Sequence, residues 1–149
     1  MKILLIRLRL IGDVVFTTPA IRGLRRTYPD AEITYLVEPA AAPVVLHNPH
    51  LDHVVIAERP RGLRRLAYDV ALARRLRGER YDLVIDFHGG PRSSWLAAAT
   101  GAPQRLGYAI PGRRWAYTAH ARWSRALVPA RHSVENQWDL LSLLDIPPP

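Results

Sequence analysis

Residues 2–8 (KILLIRL) and 81–87 (YDLVIDF) are short, almost continuous apolar runs, followed by Gly12 and by Gly89-Gly90. A strand that buries one face alternates apolar and polar positions. A strand that is apolar at nearly every position must bury both faces, which confines it to a parallel sheet covered by helices on each side. Residues 32–37 (EITYLV) and 52–56 (DHVVI) add two β-branched strands, and 104–108 (QRLGY) a short fifth.

The segments between them carry helical signals. Val14, Ile21 and Leu24 recur at helical spacing, and Thr18-Pro19 pairs a capping residue with proline at the first helical position. A helix therefore starts at Thr18 or is kinked there, and Pro29-Asp30 ends it. Residues 39–47 read as a short helix interrupted by Pro43. Leu63, Leu66, Val70, Ala73 and Leu76 form one apolar stripe, with Arg64, Arg65, Arg74, Arg75 and Arg77 on the other faces, so 63–77 reads as an amphipathic helix. A helix opens near Pro91 and stops at Gly101, and a last one spans 133–144 with Ser133 as its N-cap. Residues 109–131 read as an ordered surface loop. Strands alternating with helices predict an α/β fold, a mostly parallel sheet with helices on both faces. The expected boundaries are one domain over 1–146 and the start of a linker at 147–149.

The chain of 149 residues has no cysteine, which removes disulfides, thiolate metal sites and cysteine nucleophiles. Its start carries Arg7 and Arg9 and runs into Gly12-Asp13, unlike a secretory signal. No apolar run is long enough to span a bilayer. A cytoplasmic location is expected. The formal charge is +8, and Lys2 is the only lysine among 21 basic residues. Guanidinium groups pair bidentately with phosphate and carboxylate, so nucleic acid, an anionic membrane surface and an anionic glycolipid are the partners to weigh. A merely solvated basic surface is the plain alternative.

In open parallel sheets, ligands sit beyond the C-terminal ends of the strands. Asp13, where the first strand opens into a helix, reads either as a general base or as a helix cap, the cap being the commoner use of such a residue. In His88–Ser94, Gly89 and Gly90 permit close backbone approach, and Arg92 and Ser93 fall in the first turn of a helix, where free N–H groups favour anions. An ordinary capped turn explains them equally well. Arg59, Arg61, Arg64 and Arg65 could converge on an anion, lie on a membrane, or face water. Arg113-Arg114 with Trp115 and Tyr117 could hold a sugar or base, or be a loop with packed aromatics. A single glycine, Gly12, stands where a dinucleotide fingerprint needs three, and the six histidines show no metal-ligand spacing.

The stretch KILLIRLRLIGDVVFTTPAIRGLRRTYPDAEITYLVEP, with G-D-V-x-x-T-x-P-A beginning at Gly12, resembles the opening of bacterial lipopolysaccharide heptosyltransferases of glycosyltransferase family 9. YDLVIDFHGGPRSSWLAAATGAPQRLGY and HSVENQWDLLSLLDI resemble the same family, in the same order. The resemblance implies the N-terminal half of a GT-B fold, in which this Rossmann-like domain takes the acceptor and a C-terminal domain, absent from these 149 residues, takes an ADP-sugar. It implies an inverting transfer of heptose or a related sugar to the Kdo or inner core of lipopolysaccharide, without metal or other cofactor. It makes Asp13 the general base, and it places Gly12, Thr17, Arg61, Arg64, His88, Gly89, Arg92, Ser93 and Arg113 around the acceptor, an anionic glycolipid. Peripheral contact with the inner face of the cytoplasmic membrane follows from such an acceptor, and nucleic acid is not expected. Asn136 after Glu135 departs from the arginine frequent at that place in the family, which puts one acceptor contact in doubt. The alternative is a non-enzymatic basic module binding nucleic acid or anionic lipid, though the arginines are scattered rather than forming one stripe. A stand-alone nucleotide-binding domain is the third reading, and the missing glycine fingerprint counts against it.

Overall fold

The computed structural model describes residues 1–122 and 133–147, with only the backbone of 133–136. Six strands form one parallel sheet: β1 (Lys2–Ile6), β2 (Glu32–Val37), β3 (His53–Ile56), β4 (Leu83–Asp86), β5 (Gln104–Tyr108) and β6 (Ala119–Ala121). Their spatial order is β3-β2-β1-β4-β5-β6. The central pair is in register from Ile3 opposite Leu83 to Ile6 opposite Asp86.

The helices are α1 (Ile11–Val15), α2 (Thr18–Thr27), α3 (Ala42–Val45), α4 (Leu63–Gly78), α5 (Pro91–Ala99) and α6 (Ser133–Ser142). Because successive strand residues point to opposite faces, each strand feeds two cores. Ile3, Leu5, Ile33, Tyr35 and Ile85 pack with Ile21 and Leu24 of α2, Val45 of α3 and Leu140 and Leu141 of α6. Leu4, Ile6, Leu36 and Val84 pack on the other face with Leu72 and Leu76 of α4 and Leu96 of α5. This two-sided burial is the reason β1 and β4 read as unbroken apolar runs.

Three sequence expectations change. The proposed loop over 109–131 contains, in its described part, a 3₁₀ turn at Arg114–Ala116 and the edge strand β6; residues 123–131 lie outside the described residues. So does the Ser133 side chain proposed as a cap, and so do those of Glu135 and Asn136. A separate helix, α1, precedes α2, and the residue before α2 is Thr17 rather than Thr18. The stripe on α4 is only half used. Ala73 and Leu76 are buried, whereas Leu63, Leu66 and Val70 are 89%, 67% and 37% exposed. The side of the helix that meets the core runs through Tyr68, Leu72 and Leu76, so the first residues of the stripe fall to one side of it.

Candidate active site

The chain runs from β1 outward through β2 and β3, then returns to the other side of β1 as β4. The C-terminal ends of β1 and β4 therefore flank the point where strand order reverses, which leaves a crevice between diverging connections. Arg7 follows β1 and spans this point. Its Nη1 donates to the carbonyl of Phe87 at 2.8 Å, and its Nη2 lies 2.7 Å from Oδ2 of Asp13. The Asp13 side chain is 25% exposed. Oδ1 takes no hydrogen bond within the described residues, so one oxygen is held and the other is open. Asp13 lies within the first turn of α1, whose N-cap position is Leu10 and has no side-chain cap. The carboxylate is thus a neighbour of the helix start and not its N-cap.

Behind Asp13 stands a residue that the sequence did not single out. Gln137 of α6 is 4% exposed, and its Nε2 donates to the backbone carbonyl of Asp13 at 3.2 Å. The two lie 124 positions apart, and a glutamine inside a helical pattern carries no sign of such a contact.

The turn after β4 is built on Asp86, another residue absent from the expected site. Asp86 is fully buried and accepts from the backbone N–H of His88 at 2.9 Å and of Gly89 at 3.1 Å, and from the Tyr117 hydroxyl at 2.6 Å. Burial pushes its carboxyl above the usual carboxylate range, against the pull of these donors. Gly89 has φ +71°, and a Cβ there would lie 2.6 Å from Ile110 Cδ1, so glycine is required on both counts. This cradle presents His88 to the crevice. Burial, then the charges of Arg7, Arg9 and Arg59, lower its pKa to about 4 against the opposing charge of Asp13, leaving the imidazole neutral at pH 7. Its buried Nδ1 has no hydrogen-bond partner among the described residues.

A testable consequence follows for pH. The His88 pKa is lower in the folded chain than in the unfolded one, so the unfolded state binds more protons between the two values. Stability is retained above about pH 6.5 and falls as pH drops toward 4. At one pKa unit per 1.36 kcal/mol, the loss is on the order of 2–3 kcal/mol. Urea unfolding of wild type and His88→Gln at pH 7 and pH 5 checks this: the variant should lose less on acidification, and identical losses would remove His88 from the account.

Other expected site residues divide. Arg61 and Arg64 are exposed, as is Gly12, while Arg113 is half-buried with its Nε unpartnered among the described residues. These cations remain available to an anion. Thr17 is fully buried; its hydroxyl donates to the Val14 carbonyl at 2.6 Å and meets the Tyr35 hydroxyl at 2.9 Å, so it shapes the loop from beneath. Ser93, also fully buried, accepts from the Gly90 N–H at 2.9 Å and caps α5. Arg92 donates to Asp69, Glu38 and the Glu58 carbonyl at 2.6–3.1 Å, with 8% of its side chain exposed. Thr17, Ser93 and Arg92 are thus buried and bonded within the chain, in contrast to the exposed Arg61 and Arg64.

A pocket of about 560 Å³ lies at the opposite end of β2 and β3, lined by Glu32, Asp52, His53 and Glu79 among others. All three of its acids are answered internally, Glu32 by His53 at 2.9 Å, Asp52 by Arg25 at 2.6 Å and Glu79 by Lys2 at 2.7 Å. It is not the switch-point site.

The family model for glycosyltransferase family 9 (heptosyltransferase) matches residues 70–148, more than half of the chain. The chain belongs to glycosyltransferase family 9. Among curated family 9 relatives, it is 26% identical over 147 residues to lipopolysaccharide heptosyltransferase 3 of Escherichia coli K12, covering 91% of this chain and 40% of that protein. It is 29% identical over 107 residues to lipopolysaccharide heptosyltransferase 1 of Pseudomonas aeruginosa, covering 68% and 30%. The crystal structure of a family 9 glycosyl transferase from Veillonella parvula superposes with a TM-score of 0.86 at 26% identity, over 98% of this chain and 42% of that one. E. coli heptosyltransferase WaaC with ADP, at 21% identity and a TM-score of 0.78, covers 96% and 47% and shares the fold; WaaC has also been solved with ADP-2-deoxy-2-fluoro heptose. The chain spans less than half the length of these curated relatives. The α/β class and the Rossmann-like half of a GT-B glycosyltransferase expected from the sequence are what the family 9 fold contains.

Proposed function

We propose that this chain is the acceptor-side, base-bearing domain of an inverting glycosyltransferase that moves a heptose or related sugar from an ADP-sugar to the Kdo or inner core of lipopolysaccharide. The observation that carries it is the Asp13 carboxylate at the sheet's switch point, with Oδ2 held by Arg7 and Oδ1 open. In this reading Oδ1 receives the proton of the acceptor hydroxyl as its oxygen bonds to the anomeric carbon, and the bond from that carbon to the diphosphate breaks with ADP leaving. The neutral His88 orients the hydroxyl without competing for its proton. Arg61, Arg64 and Arg113 meet carboxylate or phosphate groups of the acceptor, with Gly12 and Gly89 allowing its close approach. Lipopolysaccharide as the acceptor is supported by the relatives' names, and an ADP-sugar donor by the ligands in WaaC. The donor falls to a second domain beyond residues 147–149. The acceptor's place on a membrane puts the enzyme on the inner face of the cytoplasmic membrane.

The polyanion-module reading is weakened because part of the arginine surplus turns inward. Arg25 donates to the carbonyls of His50, Pro29 and Ala31 and to Asp52, and Arg105 to the carbonyls of Ala116 and Ala102. Calorimetry separates the readings. The 149-residue chain should bind a soluble Kdo-bearing inner-core oligosaccharide, give no heat with ADP-heptose, and transfer no sugar by itself. Heat from ADP-heptose without heat from the oligosaccharide would reverse the assignment of the two halves.

A further inference from the structure

No helix among the described residues is long and apolar enough to cross a membrane. One helix nevertheless leaves an apolar face uncovered. Leu63, Leu66 and Val70 lie on one stripe of α4, and their exposure falls from 89% to 67% to 37% toward Ala73 and Leu76, which are buried against the sheet. α4 is thus anchored along one side by Tyr68, Leu72, Ala73 and Leu76, while Leu63, Leu66 and Val70 turn away from that side into solvent. An almost fully exposed leucine at the first position of a helix has no packing reason within the described chain.

The charges around this stripe are one-sided. Arg59 and Arg61 precede the helix, Arg64 and Arg65 sit in its first turn, and that turn holds no acidic residue. A helix N-terminus carries partial positive charge and favours acids, so cations there are unfavourably placed unless an anion is brought to them. The first acid along the helix, Asp69, is taken by Arg92. Exposed leucines between exposed arginines match an interfacial helix, with its apolar side in the acyl boundary and its cations on lipid phosphates. A second copy of this chain fits poorly, because a face-to-face pair would set Arg59, Arg61 and Arg64 of one against those of the other.

We infer that the 59–61 approach and the first two turns of α4 form a docking ledge for an anionic bilayer, with Leu63 and Leu66 entering the acyl boundary. The ledge deepens the proposed function, since a lipid-borne acceptor needs the enzyme at its membrane; it rests on the glycolipid reading for its purpose only. Vesicle binding is measured without turnover, so the two proposals can fail separately. Asp13→Asn should bind vesicles like wild type, and a variant of both leucines should keep turnover on an acceptor stripped of its acyl chains.

The test is co-sedimentation of the chain and of the full-length protein with vesicles of phosphatidylcholine, alone or mixed with phosphatidylglycerol. Wild type should partition onto the anionic vesicles and little onto the neutral ones. Leu63→Asp/Leu66→Asp, which replaces exposed side chains and should keep the wild-type circular dichroism, should partition at least about tenfold more weakly. An environment-sensitive fluorophore on Leu63→Cys should shift to the blue on anionic vesicles. Equal binding by the double variant would reduce the ledge to electrostatic adsorption and overturn the insertion. Binding by the isolated chain but not by the full-length protein would mean that another part of the protein covers this face. Self-association abolished by the double variant, with no vesicle binding, would assign the face to a second copy.

Discussion

Asp13→Asn in the full-length protein is expected to lower kcat by about 10²–10⁴-fold, the range that a positioned general base contributes. Asparagine keeps the shape of aspartate and can still accept from Arg7, so the 2.7 Å contact that orients the group has a replacement. What is lost is an oxygen able to hold the acceptor's proton. The capping role that the bare sequence allowed predicts another result, a loss of about 0.5–2 kcal/mol in stability with turnover intact. The structure argues against that outcome, because the N-cap of α1 is Leu10 and no side chain caps it. Steady-state kinetics with an ADP-sugar and a soluble acceptor, together with thermal unfolding, separates the two. A variant with wild-type turnover would end the assignment of Asp13 as base.

Arg92→Ala should destabilise the chain by about 3–5 kcal/mol, the usual consequence of removing one partner from a buried ion pair. Arg92 joins four segments: its own helix α5, Asp69 of α4, Glu38 after β2 and the Glu58 carbonyl after β3. The Glu38 and Asp69 side chains are only 11% and 14% exposed, so truncation strands two carboxylates in a poorly solvated place. For a chain of this size the midpoint of thermal unfolding should fall by roughly 10 °C. Arg92→Lys should recover little, since one ammonium cannot reproduce the paired contact of Nε and Nη2 with Asp69 while also reaching Glu38. The family resemblance suggested instead that Arg92 faces the acceptor. That view predicts unchanged unfolding and a raised KM for the acceptor, and such a result would restore it.

Asp13, Arg92 and Leu63 mark three degrees of legibility. The position of Asp13 was readable because its signal is local: a two-sided apolar strand, a glycine and a carboxylate within a few residues. Arg92 was less legible, because a first-turn arginine looks the same in sequence whether its guanidinium faces an anion or turns inward to Asp69, 23 positions away. Leu63 shows a different limit. The period of its stripe identified the helix, but period alone does not say which side of the helix the core covers. Gln137, which supports the Asp13 loop, gave no local signal at all, and Tyr117, noted only as one of several loop aromatics, gave none for its bond to Asp86.

Local chemistry in the chain therefore determined which segments are strands, that the central ones are buried on both faces, and which carboxylate stands at the end of β1. These follow from patterns that repeat within one element and need no knowledge of its neighbours. β6 escaped because three residues at a sheet edge carry too little pattern, and their pairing with β5 is a backbone contact. Tertiary structure alone decided which arginines face solvent and which are spent inside, that α6 holds the carbonyl of Asp13, and that half of the α4 stripe is uncovered. Each of these depends on contacts between residues far apart in sequence, where the same side chain serves either role until the fold brings its partner near or leaves it without one.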